Sequence, residues 1–598
     1  MARFQFLKSL GPIATDRQGN ANLGAAYALF GLESWAKRIA QDSQHPFFAG
    51  SYLFMAERST EPFVKNSNLI QGYLTDPTLF GASPQRSKLL ASPGGYGAMD
   101  VSYRQSDAFS ATTASVIANG YASSPIPVAG FIQYEAPQFR SGNVEFNATA
   151  PSLITALGFR PDAKLGVFLY RDEFKPTIDN VPVITDGDRI AGTVVRTDIG
   201  AQWQLDPKTA FWVRTGQGMD DTVVTSNLQA YSQSYRRENT DSGLRITALR
   251  DSGEWTVGAE KGRSSKPSVS LEKSSRIGLL TEINATGEGD NAFGSWKKRF
   301  DSLLVQTDIN LGRYRFEQTE NRSISSIATG KVLSASVPVV IAEDRDARTF
   351  GLGLAWSPQS SGTYRLAWQD AMRPASSFSL ASQNTAGISL DVPGLQPGGR
   401  LKRVRLQGEW ELSGRNYLMA FVDQRDIRNL YDQAGKLLNA SASLSQYDRL
   451  RQQTVGQGES PEALEGTPII PAGTVRTTGL VFESVASDRW SWTASYVNAK
   501  TDNEIYPAVP LPQFPQHTVR FGLNWFAPER WVLRSALTGR TERTTDAQGS
   551  NWLDPDWDLS LSATWQDAAK RRSFEIFAAR LARKDESAAV GIRGNWRY

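Results

Sequence analysis

The chain has 598 residues, a formal net charge of +4, a mean hydropathy of −0.38 and no cysteine. No stretch approaches the roughly 18 consecutive apolar residues of a spanning helix, and the lack of cysteine excludes disulfides, thiolate metal sites and covalently attached haem. The basic excess is small, no run of like charges forms a nucleic-acid arm, and His45 and His517 lie too far apart in sequence to suggest a metal site.

The chain begins unlike the rest. Met1 to Leu10 has neither a long apolar core nor a small-residue cleavage site, so it does not read as a signal peptide. Leu23, Gly24, Tyr27, Gly31 and Ala36 then stand at the spacings of a tetratricopeptide repeat, Pro46 approximates its closing proline, and a second helix-like run covers Phe47 to Glu57. Residues 1–65 therefore read as a helical segment resembling one such repeat. Residues 66–96 read as a linker, in which a short helix is stopped by Asp76-Pro77, because proline disfavours helix in the residue before it.

From residue 97 to 598 one pattern repeats. Apolar and polar residues alternate in runs, broken by clusters of Gly, Pro, Asp, Asn and Ser, which is the pattern of strands and turns. Clear runs are Phe350/Leu352/Leu354/Trp356, Tyr364/Leu366/Trp368, Val404/Leu406/Gly408/Trp410/Leu412, Trp490/Trp492/Ala494/Tyr496 and Val519/Phe521/Leu523/Trp525. Very short links such as Ala527-Pro528-Glu529 alternate with longer ones, and 371–399 and 430–474 are too long for turns. In Trp557-Asp558-Leu559-Ser560-Leu561-Ser562-Ala563-Thr564-Trp565 the two tryptophans stand about 26 Å apart along a strand, one for each membrane interface. The final strand carries Val590, Ile592, Gly594, Trp596 and Tyr598 on one face and Arg593, Asn595 and Arg597 on the other.

A closing amphipathic strand that ends on an aromatic resembles that of bacterial outer-membrane β-barrels. The resemblance implies a mainly β fold, a large antiparallel transmembrane barrel of about 20 to 24 strands, with 22 the central expectation because such barrels are usually even. It implies a bacterial outer-membrane location, a lipid bilayer and the barrel-assembly machinery as partners, and Ile592, Trp596 and Tyr598 as the closure and insertion signal. Trp356, Trp368, Trp410, Trp490, Trp525, Trp557 and Trp565 are expected in the aromatic girdles. Arg403, Arg405, Arg520, Arg534, Arg540, Arg593 and Arg597 fall on the polar faces and are expected to line the lumen. They serve either as a wet wall paired with carboxylates such as Glu409, Glu411 and Asp558, or as a path for anionic or hydroxyl-rich polymers.

No catalytic constellation, cofactor site or metal site is legible, and nucleic acid is not an expected partner. The helical segment, the linker and the barrel together resemble the tetratricopeptide-plus-barrel porins that export bacterial exopolysaccharides. On that resemblance the chain is a conduit, with polysaccharide and a periplasmic or surface protein as candidate partners. The alternatives are an importer of the TonB-dependent class and a non-transporting anchor for a protein complex. A barrel of 22 strands has a backbone diameter on the order of 40 Å, so the lumen is expected to be occupied. The long loops are the expected filling, while the N-terminal segment is expected to dock a partner on the periplasmic side.

Overall fold

The computed structural model describes residues 94–432 and 470–597 with short breaks, together with Tyr27, residues 31–42, 437–438 and five positions between 67 and 75. Period-two alternation over most of this length gives one sheet of 25 strands. Three of them, Asn147–Thr149, Thr177–Val181 and Val332–Ala335, are short pieces that extend longer neighbours. The other 22 form a closed antiparallel barrel.

Closure is made by the two ends of the described barrel. The first strand, Gly94–Gln105, pairs with the last, Ala589–Arg597, from Ala98 opposite Arg597 to Gln105 opposite Val590. Both strand edges are thereby satisfied, as any strand surrounded by lipid requires. The first strand starts at Gly94, three residues ahead of the expected boundary at 97.

The links sort into two ends. Tight turns join Asp206 to Thr209, Arg250 to Gly253, Phe300 to Leu303, Gln359 to Gly362, Ser413 to Asn416 and Ser487 to Trp490. These lie at the end where Gly94 enters and Arg597 leaves, and the long connections lie at the other.

Burial is inverted relative to a soluble protein. Outward side chains such as Val257, Ile309, Leu311, Leu406, Val422 and Val590 are about half exposed, whereas Arg214, Asp198, Gln369 and Asp423 are buried on the inner face. An apolar outside around a polar inside suits a wall between lipid and a wet lumen. Aromatic rings cluster near the tight turns: Trp490 stacks on Trp525 at 5.6 Å, Tyr364 meets Trp356 at 5.6 Å and Trp410 at 5.8 Å, and Trp255 meets Trp296 at 6.2 Å.

Some strands outrun the membrane. Ile277–Phe300 and Leu303–Ser326 have 24 residues each, against the roughly 9–11 needed to cross a bilayer. The surplus projects as a sheet beyond the long-loop rim. One helix is delimited among the described residues, α1, Glu33–Asp42; Tyr27 and the five described positions between 67 and 75 are helical as well.

Candidate functional site: a lumen closed from within

The connection between the strands Gly362–Met372 and Arg400–Ser413 turns inward instead of covering the rim. Its residues Ser376, Phe378, Ser379, Leu380, Ala381, Gln383, Thr385, Ala386 and Ile388 are all buried. A loop inside a barrel must find partners for its backbone groups, because buried, unpaired N–H and C=O groups are costly. The inner wall supplies them.

Glu260 accepts hydrogen bonds from the Ser379 hydroxyl (2.9 Å) and the Leu380 N–H (3.1 Å). Gln306 donates to the Asn384 carbonyl (2.8 Å) and accepts from the Ala386 N–H (3.0 Å). The Thr385 hydroxyl donates to Asp308 (3.0 Å), and Arg365 donates to the Ala386 carbonyl (2.9 Å). Gln369 and Arg403 donate to the carbonyls of Ile388 (3.1 Å) and Ser389 (2.7 Å). The loop tip, Ala386, packs with Leu304 and Ala355, both close to tight turns, so the loop crosses almost the whole lumen. Gly387 turns that tip at φ +86°, a backbone conformation that glycine adopts without strain.

Charge is balanced locally beneath the loop. Arg196 and Arg214 meet Asp198 and Asp241 in a buried quartet with N···O distances of 2.7, 3.1, 2.9 and 2.6 Å. This quartet touches the loop as well, since Arg214 donates to Ser376 (2.8 Å) and the Arg196 guanidinium lies 4.2 Å over the Phe378 ring. A second group places Arg403, Arg405 and Arg425 around Asp423, at 2.7, 3.4 and 2.6 Å. Arg365 pairs with Glu409 at 2.9 Å.

The described N-terminal residues pack against the inner wall at the tight-turn end. Helix α1 presents its first N–H groups to the wall: those of Ser34 and Trp35 both donate to Glu483 at 2.9 Å, a carboxylate at the positive end of the helix dipole. Trp35 donates to Glu411 (3.1 Å) and stacks on Tyr417 with ring centroids 5.9 Å apart. Leu32 and Trp35 are buried in a cluster with Tyr417, Met419, Phe421 and Val481. Arg38 donates to the Ser360 carbonyl in a tight turn (2.7 Å). On the far side of the lumen, Leu74 is buried against Phe168, and Arg160 donates to the Thr75 carbonyl (3.0 Å).

Loop and N-terminal residues hold each other. Gln71 donates to the carbonyls of Ser379 and Ala381, both at 2.9 Å, and the Ser379 N–H donates to Ser67 (3.0 Å). Gln41 donates to the Gly387 carbonyl (2.7 Å). The described N-terminal residues thus pack on the inner wall of the barrel; most of the segment expected to dock a partner, including the second helix-like run Phe47 to Glu57, lies outside the described residues. Among the described residues the apolar stripe of α1 packs on the barrel wall and on Tyr27, whose ring stacks on Trp35 at 4.7 Å.

Of the arginines singled out in the sequence, Arg403, Arg405 and Arg540 are buried, Arg540 near Asp556 at 3.8 Å. Arg593 bridges Glu575 (3.5 Å) and Asp100 (3.7 Å), and Arg534 donates to Thr564 (3.5 Å). Arg520 lies between the outward residues Val519 and Phe521; the Arg597 side chain and Tyr598 lie outside the described residues. Ile592 stands in register with Tyr103 and Ile576, and Trp596 with Met99 and Arg572. Trp356, Trp410, Trp490, Trp525 and Trp565 sit near tight turns, whereas Trp368 and Trp557 lie nearer the long-loop rim. Sequence reasoning missed Arg196, Arg214, Asp198, Asp241, Glu260, Asp308 and Glu483. Each stands in an alternating run, but an inner polar face and an outer one read alike.

Neither a protein-family model nor a curated protein matches the chain. Solved structures do. The siderophore receptor PiuA from Acinetobacter baumannii superposes with a TM-score of 0.60 at 12% identity, over 85% of this chain and 82% of that one. The copper transporter OprC gives 0.60 at 10% identity, over 84% and 83%. The ferric yersiniabactin uptake receptor FyuA from Yersinia pestis gives 0.59 at 11% identity, over 85% and 81%. At these identities the likeness is one of fold, the 22-strand barrel of outer-membrane receptors and transporters. This likeness supports neither the tetratricopeptide segment nor the export-porin family expected from the sequence.

Proposed function

We propose that the chain is an outer-membrane transporter of the plugged-receptor type, the importer alternative, and not a standing conduit for polymer export. The observation that carries this is the inward loop hydrogen-bonded to both the wall and the N-terminal residues. A wide barrel sealed by its own segments passes cargo only when those segments move, so transport must be gated. Loop motions of this size fall in the microsecond-to-second range once the latch is released. In this reading the lipid bilayer surrounds the apolar belt, the tight-turn end faces the periplasm, and a periplasmic partner acts on the N-terminal residues. The arginines of the inner wall serve first to pair with carboxylates and to hold the loop. Planar-bilayer recording tests the reading: the purified chain should pass no steady current, whereas a steady large conductance would show a standing pore and overturn it.

A further inference from the structure

Where the inward loop meets the strands Leu303–Ser326, Val339–Gln359 and Gly362–Met372, one inward position of the wall has no side chain. Asp308 stands in register with Gly351, and Gly351 with Gln369, so a glycine separates two polar residues. A Cβ at Gly351 would lie 3.3 Å from Asp308 Oδ2 and 3.5 Å from Thr385 Oγ1 of the loop. The gap belongs to a cavity whose lining, drawn from described residues, includes Asp308, Asn310, Gly351, Gln369, Ser382 and Thr385. The centre of a water-sized sphere can move within about 20 Å³ there, which is room for one small ion or one water.

Two groups on this lining lack what burial normally requires. The Asp308 carboxylate is 8% exposed, yet its donors are neutral: the Gln306 amide at 3.1 and 3.0 Å and the Thr385 hydroxyl at 3.0 Å. Among the described residues no arginine or lysine forms an ion pair with it, and Lys297 acts on it from beyond that range. By contrast, Asp198 and Asp241 meet Arg196 and Arg214, Asp423 meets three arginines, and Glu409 meets Arg365. The second group is the amide of Gln369, a residue 1% exposed. Its nitrogen donates to the Ile388 carbonyl, while among the described residues its Oε1 accepts nothing. A buried charge without a partner and a buried acceptor without a donor each cost free energy.

We propose that this cavity binds a monovalent alkali cation of sodium size between the inward loop and the wall. Hard cations take oxygen ligands. The lining offers the Asp308 carboxylate, the amide oxygens of Gln369 and Asn310, and the hydroxyls of Ser382 and Thr385. The single carboxylate sets the charge of the ion. A monovalent cation neutralises it, whereas a divalent one would leave a buried positive charge uncompensated. Ser382 and Thr385 belong to the loop, and the other ligands to three strands of the wall. The bound ion therefore fastens the loop in its inward position and makes its release depend on the cation. The inference rests on where the loop lies and not on what the barrel carries, so it stands apart from the importer reading.

Hydrogen–deuterium exchange of the full chain in lipid nanodiscs tests it, read by mass spectrometry on peptides covering residues 378–390. Sodium chloride is compared with N-methyl-D-glucamine chloride at equal ionic strength, the organic cation being too bulky for the cavity. With sodium at about ten times its dissociation constant, exchange of the loop should slow roughly tenfold. Asp308→Asn removes the charge and Gly351→Ala fills the gap. Each should abolish the sodium dependence in barrels shown to be folded by heat-modifiable gel migration, and either one serves should the other fail to assemble. Glu260→Ala loosens the loop at a different contact, so its loop should exchange faster in both salts while keeping the sodium dependence. Equal exchange of the wild type in the two salts, as a protonated Asp308 beside a water would give, would overturn the proposal. A sodium effect that survives the substitutions at Asp308 and Gly351, or a response to calcium and not to sodium, would do so equally.

Discussion

Replacing Glu260 by alanine attacks the loop at a buried carboxylate that holds two of its donors. The carboxylate is buried and takes two loop donors, the Ser379 hydroxyl and the Leu380 N–H, while also accepting from Asn291 at 3.0 Å. Hydrogen bonds to a charged group contribute about 1.5–3 kcal/mol each, so losing both loop bonds weakens the docked state by roughly 3–6 kcal/mol. At about 1.4 kcal/mol per factor of ten, the undocked population rises on the order of a hundred- to ten-thousandfold. Single-channel recording should therefore show frequent current steps in Glu260→Ala where the wild type shows almost none. Glu260→Gln keeps one acceptor oxygen and should fall between the two. Recordings of Glu260→Ala as silent as the wild type, from barrels shown to be folded by heat-modifiable gel migration, would refute the reasoning that this carboxylate latches the loop.

Further expectations rest on other parts of the wall. Glu483→Ala removes the acceptor of both α1 N–H groups and should expose residues 31–42 to protease added at the tight-turn side of proteoliposomes, with cleavage at least tenfold faster than in wild type. Gly479→Ala places a Cβ about 2.2 Å from the Cζ edge of the Phe421 ring, which also carries the Arg405 guanidinium 4.1 Å from its centroid. Such overpacking costs about 1–3 kcal/mol, read as a lower urea midpoint for unfolding from vesicles. Ile592→Lys puts a charge on the outward face of the closing strand and should cost about 2–4 kcal/mol near the bilayer midplane, whereas Gly591→Ser on the inner face tests packing against Phe577 without that lipid penalty.

The barrel was legible because lipid imposes a two-residue period on every strand, and Phe350/Leu352/Leu354/Trp356 shows it without ambiguity. Strand pairing at closure followed from the terminal alternation of Ile592, Gly594 and Trp596. Along Leu303–Ser326 the outward alternation changes character for a physical reason: the strand continues into water, where Arg313 and Arg315 replace Ile309 and Leu311 on the same face. The position of α1 was not legible. A helix that covers a barrel wall and one that covers another helix need the same apolar stripe, here Leu32, Trp35 and Ala36. The inward course of the loop was marked only by its length. Its serines, glutamine and asparagine suit a rim in water and a polar lumen equally, and what decides between them is Glu260, Gln306 and Asp308, on strands far away in sequence.

The central claim is that the loop tip lies against the inner wall near the tight turns, and cross-linking tests it most directly. The chain has no cysteine, so Gly351→Cys with Thr385→Cys introduces the only thiol pair. A Cβ built at Gly351 lies 3.5 Å from the Thr385 hydroxyl oxygen, where a cysteine sulfur would stand, which is within reach of a disulfide. Mild oxidation of the folded barrel should join the two positions in most molecules, with the linked peptides identified by mass spectrometry. Two thiols that stay free under oxidation and react rapidly with a water-soluble maleimide would place the loop outside the lumen and contradict the account.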